Sequence, residues 1–584
     1  MTALTLLATA LLMLIAGYAY LTLLGVAVSA VALPRRWLPL APLTVPLLGW
    51  AALVALGYPL NTVLPFRQVA LLLGVAGAGG VVYGALTRRP RWRLRWRRRW
   101  WRESVPPLLL ALGGYLVAAT VHARQGALSA LVVDSDVEHF ADVIAALSHY
   151  PIGSGVAAQE GLEATPIGLA YHVVHATLSA VTGRDAFGTA LPSHFLMLAL
   201  GITGVYVFAR SFARLSAGAA TLATTLYAFG ALPLVVAAFG WGQQTAALAT
   251  VPAALAALRL GVTSRDRRSL WAAGLLGALA AGSLYLATLP LLGGAAAAMA
   301  AATGVRRRTA TPLLRLVVIG AVVAAAGLFS HVSAGAFLLQ RASAGLLRPE
   351  ELSGRSTHVF DFAPPDGLAG VAPLALFRDA STLDGAALST WPVGAAAFAV
   401  LATGAAGLLF LAGVFGSRRA WPALPAVLCV VLLYETYLRV LRPFPYGEFK
   451  LLSTVGFLVP VVAVAGWSVL SDRLPRLPLG TVALGVYALG VGLTWGHTLR
   501  FLSLPWGAAL PEAAMADARR VVRAVPAGAS VYVSGQLTPA VALEGAGAGD
   551  TAGGPAATRP GGLTPGRSPT TGPASPRRRR AAAT

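Results

Sequence analysis

The residues best suited to chemistry stand close together: Asp134, Asp136, Glu138 and His139, with Asp142 a turn further on. On a helix Asp134 and Glu138 lie four residues apart, as do Glu138 and Asp142, so three carboxylates share one face. Their mutual repulsion raises at least one proton affinity, which suits a general base. Asp134, Asp136 and Glu138 could equally hold a divalent cation through oxygen ligands. The plainer alternative is a solvated amphipathic helix with acids at its start, and Asp-x-Asp alone does not decide between them. Histidine adds weight to the site reading. Of the nine histidines, His122, His139, His149, His172, His175 and His194 all fall in or beside this stretch. Histidine titrates near neutrality, and His172 and His175, three residues apart, could face one site.

A second constellation runs from Tyr434 and Glu435 through Arg439, then Arg442, Tyr446 and Lys450, the only lysine in the chain. Glu435 reads as an acid within a membrane helix, a functional candidate by default. Lys450, flanked by Arg442 and Tyr446, could clamp a lipid phosphate, because charge-assisted bonds strengthen out of water. The alternative is a Glu435–Arg439 pair one helical turn apart and a lysine reaching for the interface. In Gly240-Trp241-Gly242-Gln243-Gln244 the indole could stack a sugar or simply anchor at the membrane interface.

These residues need elements to position them, and composition says which. The 584 residues are 57% hydrophobic and 11% charged, with a mean hydropathy of +0.70. A soluble domain carries roughly 25% charged residues. A bilayer core of about 30 Å asks for about 20 apolar residues per helix, and the chain offers such runs repeatedly from Leu4 to Trp495. The reading is an all-α polytopic membrane protein with about 14 transmembrane helices. The formal net charge of +23 would suggest nucleic acid in a soluble protein, but here the arginines sit in short links between apolar runs. Nucleic acid is therefore not expected as a partner.

Seven basic links fall on one face when the helices are counted in pairs: Arg35-Arg36, Arg88 to Arg102, Arg210 to Arg214, Arg259 to Arg268, Arg306 to Arg308, Arg418-Arg419 and Arg473 to Arg476. By the positive-inside rule that face is cytoplasmic, which puts both termini outside a multi-pass plasma-membrane protein. Three leading helices and a basic link make up residues 1–104, and the run 88–102, with Trp92, Trp96, Trp100 and Trp101, reads as a segment lying on anionic membrane lipids. The membrane core covers 105–500, with outer loops at 122–191 and 340–389. Residues 501–544 read as a small α/β extracytoplasmic piece, with helical spacing over Pro511–Val525 and a strand at Ser530–Val533. The Gly-, Pro- and Arg-rich tail 545–584 reads as disordered. Cys429, the single cysteine, offers no disulfide or metal site.

A helix leading into a large outer loop that starts with acids, then many spans and a small outer C-terminal piece, resembles the GT-C class of membrane glycosyltransferases. Asp136 to His139, Ala164 to His172 with its Pro-x-Gly-x-x-x-His pattern, and Leu178 to Gly183 resemble a group of actinobacterial membrane proteins. The resemblance covers roughly residues 105–533. It implies a GT-C-like core that takes a polyprenyl-phosphate sugar donor, with Asp134 or Asp136 as general base. Lys450, with Arg442, would bind the leaving phosphate, and Tyr446, Glu435, His139 and His172 would join the substrate side. The chain departs from the class in its three leading helices and in its Asp-Ser-Asp-Val-Glu acids. A non-catalytic envelope-assembly protein and a lipid transporter are the competing expectations.

Overall fold

The computed structural model describes residues 2–87, 95–124, 135–152, 154, 169–238, 240–283, 288–328, 393–416, 422–441 and 445–502. The C-terminal piece 501–544 beyond Leu502, the tail and the loop 340–389 lie outside these residues. Among them the regular structure is entirely helical. Among the described residues eight helices are long and apolar enough to cross a membrane, or nine if one bent pair counts as a single span.

The first part of the bundle comprises α1 (Ala3–Ala32), α2 (Ala41–Ala52), α3 (Tyr58–Asn61), α4 (Phe66–Thr87) and α5 (Arg95–Arg124). Helix α5 is unbroken across residue 104, where the sequence suggests a boundary. Two shorter helices follow, α6 (Ser135–His149) and α7 (Leu169–Thr182). Then come α8 (Ala186–Ser211), α9 (Ala217–Ala228), α10 (Ala231–Ala238), α11 (Gly242–Thr263), α12 (Arg267–Ala281), α13 (Thr288–Arg307) and α14 (Thr311–Val323). The last group is α15 (Val393–Gly416), α16 (Ala423–Thr436), α17 (Pro445–Val455), α18 (Leu458–Arg473) and α19 (Leu479–Leu502).

Helix starts follow local capping chemistry. Asp185 accepts from the Gly188 N–H at 2.6 Å at the head of α8, and Asp266 accepts from Arg268 N–H at 3.1 Å at the head of α12. Such caps satisfy amide groups that have no partner inside the helix. Helices α8 and α11 are buried along their whole apolar length and pack together at the centre. Outer helices keep large apolar side chains exposed, including Leu12, Ile15, Leu71, Leu72 and Leu489. Apolar residues on that outer surface are what a lipid-facing wall requires, since the solvent there is as apolar as leucine.

The bundle has two chemically distinct ends. At one, the Arg35 N–H donates to Asp266 Oδ2 at 3.3 Å, Arg307 donates to the Thr263 carbonyl at 3.0 Å, and Arg210 pairs with Glu103. Four of the seven basic links therefore meet there, with the end of a fifth. The span from Arg35 to Asn61 leads to the other end, where the Asn61 amide donates to the Leu147 carbonyl of α6 at 3.4 Å. Helix α11 likewise ends at the basic side with Thr263 and starts at the opposite side with Gly242.

Candidate functional site

The end opposite the arginines collects the elements that carry the sequence-derived candidates. The described part of helix α6 runs from Ser135, and Asp136, Glu138 and His139 fall in its first two turns. Asp134 lies outside the described residues, as does Arg442. Beyond that start Ala141, Val143, Ile144 and Leu147 are buried, and α6 packs on α4, α7 and α8. His149 closes the helix. Burial, and then the charge of Arg67, lower its proton affinity.

Helix α7 is held from both sides. The Trp50 indole donates to the Ala170 carbonyl at 2.9 Å, and the Ala170 N–H donates to the Gly282 carbonyl at 2.8 Å. This fixes Tyr171, whose ring gathers three histidines: His194 at 4.8 Å between centroids, His172 at 5.2 Å and His175 at 5.6 Å. His122 stacks nearby on Phe195 at 5.5 Å. Four of the six histidines noted in the sequence thus come together, and all four are buried.

His175 is fixed in one tautomer. One ring nitrogen, Nε2, lies 2.7 Å from the Ala186 carbonyl and must donate to it, which leaves Nδ1 to accept from the Tyr171 hydroxyl at 3.1 Å. Burial pushes this imidazole down to about 3, outweighing the Ala186 carbonyl, and His194 and His172 add to the lowering. A neutral ring with both nitrogens bonded positions its neighbours rather than shuttling protons.

The start of α11 connects this cluster to the second constellation. A side chain at Gly242 would put its Cβ 2.6 Å from the Tyr171 ring. Two residues on, the Gln244 amide donates to the Ser453 hydroxyl at 2.6 Å, and that hydroxyl donates to the Lys450 carbonyl at 2.9 Å. Helix α17, with Tyr446 and Lys450, is thereby docked on α11. In the sequence the Gly240–Gln244 stretch draws attention through Trp241. The structural work falls instead on Gly242 and Gln244, and a glycine at the very start of an apolar helix was the available signal.

Glu435 sits half-buried near the end of α16, and the chain then widens into a π-helical turn over Tyr437–Leu441. The Arg439 side chain proposed to pair with it lies outside the described atoms. Among the described residues no three His, Cys, Asp or Glu side chains converge so as to hold a metal ion. The side chains of Asp134, Asp136 and Glu138 fall outside that statement. Sequence reasoning passed over Glu103, a lone acid beside the arginine run. It is buried and receives two bonds from Arg210 and one from the Tyr206 hydroxyl. No protein-family model and no curated protein matches the chain.

Proposed function

We propose that this chain is a GT-C-like membrane glycosyltransferase of about 14 spans, moving a sugar from a polyprenyl-phosphate donor to an envelope or protein acceptor. The reaction takes place on the face opposite the basic links, which by the positive-inside rule is extracytoplasmic. One observation carries the reading: α6, with Asp136, Glu138 and His139, and α17, with Tyr446 and Lys450, come to the same end of the bundle, joined through α7 and the start of α11.

In this mechanism the acceptor hydroxyl gives its proton to Asp134 or Asp136, and its oxygen bonds the sugar C1. The bond from C1 to the lipid phosphate oxygen breaks, and the phosphate leaves with the electron pair. Lys450, with Arg442 and Tyr446, holds the departing phosphate in a setting drier than bulk water, where such contacts gain strength. Glu435, His139 and His172 contribute to the substrate side. A divalent cation, if used, draws on the acids of residues 134–138.

The test is transfer from a polyprenyl-phosphate sugar in membranes containing the full chain. Asp134→Asn or Asp136→Asn is expected to slow transfer by about 10²-fold or more, the usual contribution of a general base, and Lys450→Ala to reduce it as well. Equal product from all three variants removes the mechanism.

One feature favours a second reading, a lipid transporter. Helices α9 and α10 are apolar enough together for one span but meet at a bend of 50°, as a broken span or a re-entrant loop does, and interrupted helices are a hallmark of substrate pathways in transporters. Movement of a fluorescent polyprenyl phosphate between leaflets, without sugar transfer, would select it.

A further inference from the structure

The short helix that carries Lys450 is not continued by its neighbour. Helix α17 runs for 11 residues, and Gly456 and Phe457 form a turn that separates it from α18. Its surroundings change at Lys450, which is half-buried, whereas Leu451, Leu452, Ser453, Thr454 and Val455 are all buried. Two of those buried residues are polar, and both hydroxyls turn back on the Lys450 carbonyl, Ser453 at 2.9 Å and Thr454 at 2.9 Å. Bonds of this kind within one helix are the ordinary local solution for Ser and Thr. By themselves they fix no direction for the helix relative to the rest of the bundle.

The tie comes from α11. Gln244 is only 4% exposed, and its amide donates to Ser453 Oγ at 2.6 Å from 209 residues away in sequence. The hydroxyl settles the direction of this bond. Its single proton goes to the Lys450 carbonyl, which can only accept, so its oxygen accepts from Gln244 and the amide presents N–H rather than oxygen. Close packing alone asks for no such group: the next turn of α11 carries Ala246, Ala247 and Leu248, all buried, and a buried amide is costly unless bonded. Helix α11 is also a firm support, being buried along its whole apolar length. Gly242 closes on Tyr171 of α7, and positions two apart on a helix point about 200° apart. The first turn of α11 is therefore held against α7 on one side and reaches α17 on the other.

We infer that Gln244 is a positioning residue, which through Ser453 sets the place of Lys450 at the end of the bundle shared with α6 and α7. Its consequence for chemistry rests on the proposed sugar transfer. A lysine that holds the donor phosphate has to stand where the phosphate oxygens arrive, and a displacement of about 1 Å can cost about 10²-fold in rate. Gln244 touches neither donor nor acceptor in this scheme. It acts by keeping α17 from tilting away from α11, so that the half-buried lysine stays in place.

The test exploits Lys450 as the only lysine in the chain, so that amine-reactive labelling reads its surroundings directly. Membranes containing the full chain are treated briefly with acetic anhydride, and peptide mass spectrometry separates the Lys450 adduct from that of the amino terminus. Gln244→Met keeps the length of the side chain and removes the N–H, and Ser453→Ala removes the hydroxyl between. Each is expected to raise the Lys450 labelling rate by about threefold, the ratio that corresponds to one hydrogen bond between membrane helices. The double variant is expected to go no further than the larger single change, because both cut the same tie. Thr250→Val is the control, since the Thr250 hydroxyl bonds only within α11, to the Ala246 and Ala247 carbonyls. Should Gln244→Met fail to fold, Ser453→Ala, the smaller change, decides. Labelling at the wild-type rate in Gln244→Met and Ser453→Ala overturns the inference, as does an equal rise in Thr250→Val, which would report a loosened α11. Transfer is read separately in the same membranes, where the KM for a polyprenyl-phosphate sugar is expected to rise about tenfold in both variants, the loss of one charge-assisted contact, with kcat falling less. Faster labelling with an unchanged KM overturns the link to the donor. Wild-type membranes that transfer no sugar remove the glycosyltransferase reading, and the labelling result still decides on Gln244.

Discussion

Gly25 and Gly49 hold α1 and α2 at backbone contact, and adding a methyl group to either is expected to pry the two helices apart. A Cβ on Gly25 would stand 1.8 Å from the Val45 carbonyl oxygen, and one on Gly49 would stand 1.8 Å from the Leu21 carbonyl oxygen. Both obstructions are backbone, so no side chain can swing aside. Since such atoms do not approach nearer than about 3 Å, the helices have to part locally by roughly 1.2 Å. A gap of about 0.5–1 Å already forfeits a quarter to a half of each atomic attraction, which places the cost of Gly25→Ala at about 2–3 kcal/mol. Trp50 follows Gly49 directly and is fully buried, so its fluorescence reports unfolding of this pair during heating in detergent. Gly79→Ala is the control, because its added methyl meets open space and only the helix-propensity gain of up to about 1 kcal/mol remains. The double variant Gly25→Ala, Gly49→Ala is expected to cost less than the two singles together, since the first methyl has already opened the space for the second. A Gly25→Ala protein that melts with wild type, while Gly79→Ala behaves the same, refutes the close packing of α1 on α2.

Replacing Glu103 with Gln leaves the Arg210 guanidinium without its counter-charge. Because the Arg210 side chain is 22% exposed, the cost is expected at or below about 3 kcal/mol, the low end for breaking a buried pair. An Arg210→Gln partner change should recover part of it in a double-mutant melting series, and strictly additive losses would contradict the pairing. His175 makes stability depend on pH. The unfolded imidazole takes up a proton near pH 6.5, whereas the folded ring is held at about 3. Stability is thus complete above about pH 6.5 and falls by up to about 1.4 kcal/mol per pH unit as the pH drops towards 3. His175→Gln is expected to flatten the melting temperature against pH over that window, and an unchanged slope rules out His175 as a source. Gly242→Ala drives a methyl into the Tyr171 ring and is expected to cost about 1–3 kcal/mol. Co-substitution Tyr171→Leu should soften the loss, and a stable single variant would place the start of α11 further from α7.

The helical class and the gathering of basic links were readable before any coordinates, because run length and link charge are local properties that the bilayer reads directly. The histidine-rich stretch was noticed for its composition. That His172, His175 and His194 would surround Tyr171 while His149 closes a different helix depends on how α6, α7 and α8 pack, and spacing along the chain does not carry that.

What the sequence determined by itself is the helical class with its apolar spans and the grouping of basic links, four of which the described residues bring to one end. The tertiary structure decided everything that joins distant residues: Glu103 with Arg210, Gly242 against Tyr171, and Gln244 on Ser453. The physical reason is range. Hydropathy and charge act residue by residue on the surrounding medium, whereas a close contact forms only after helices have chosen their neighbours, and that choice rests on small differences in shape summed over whole interfaces.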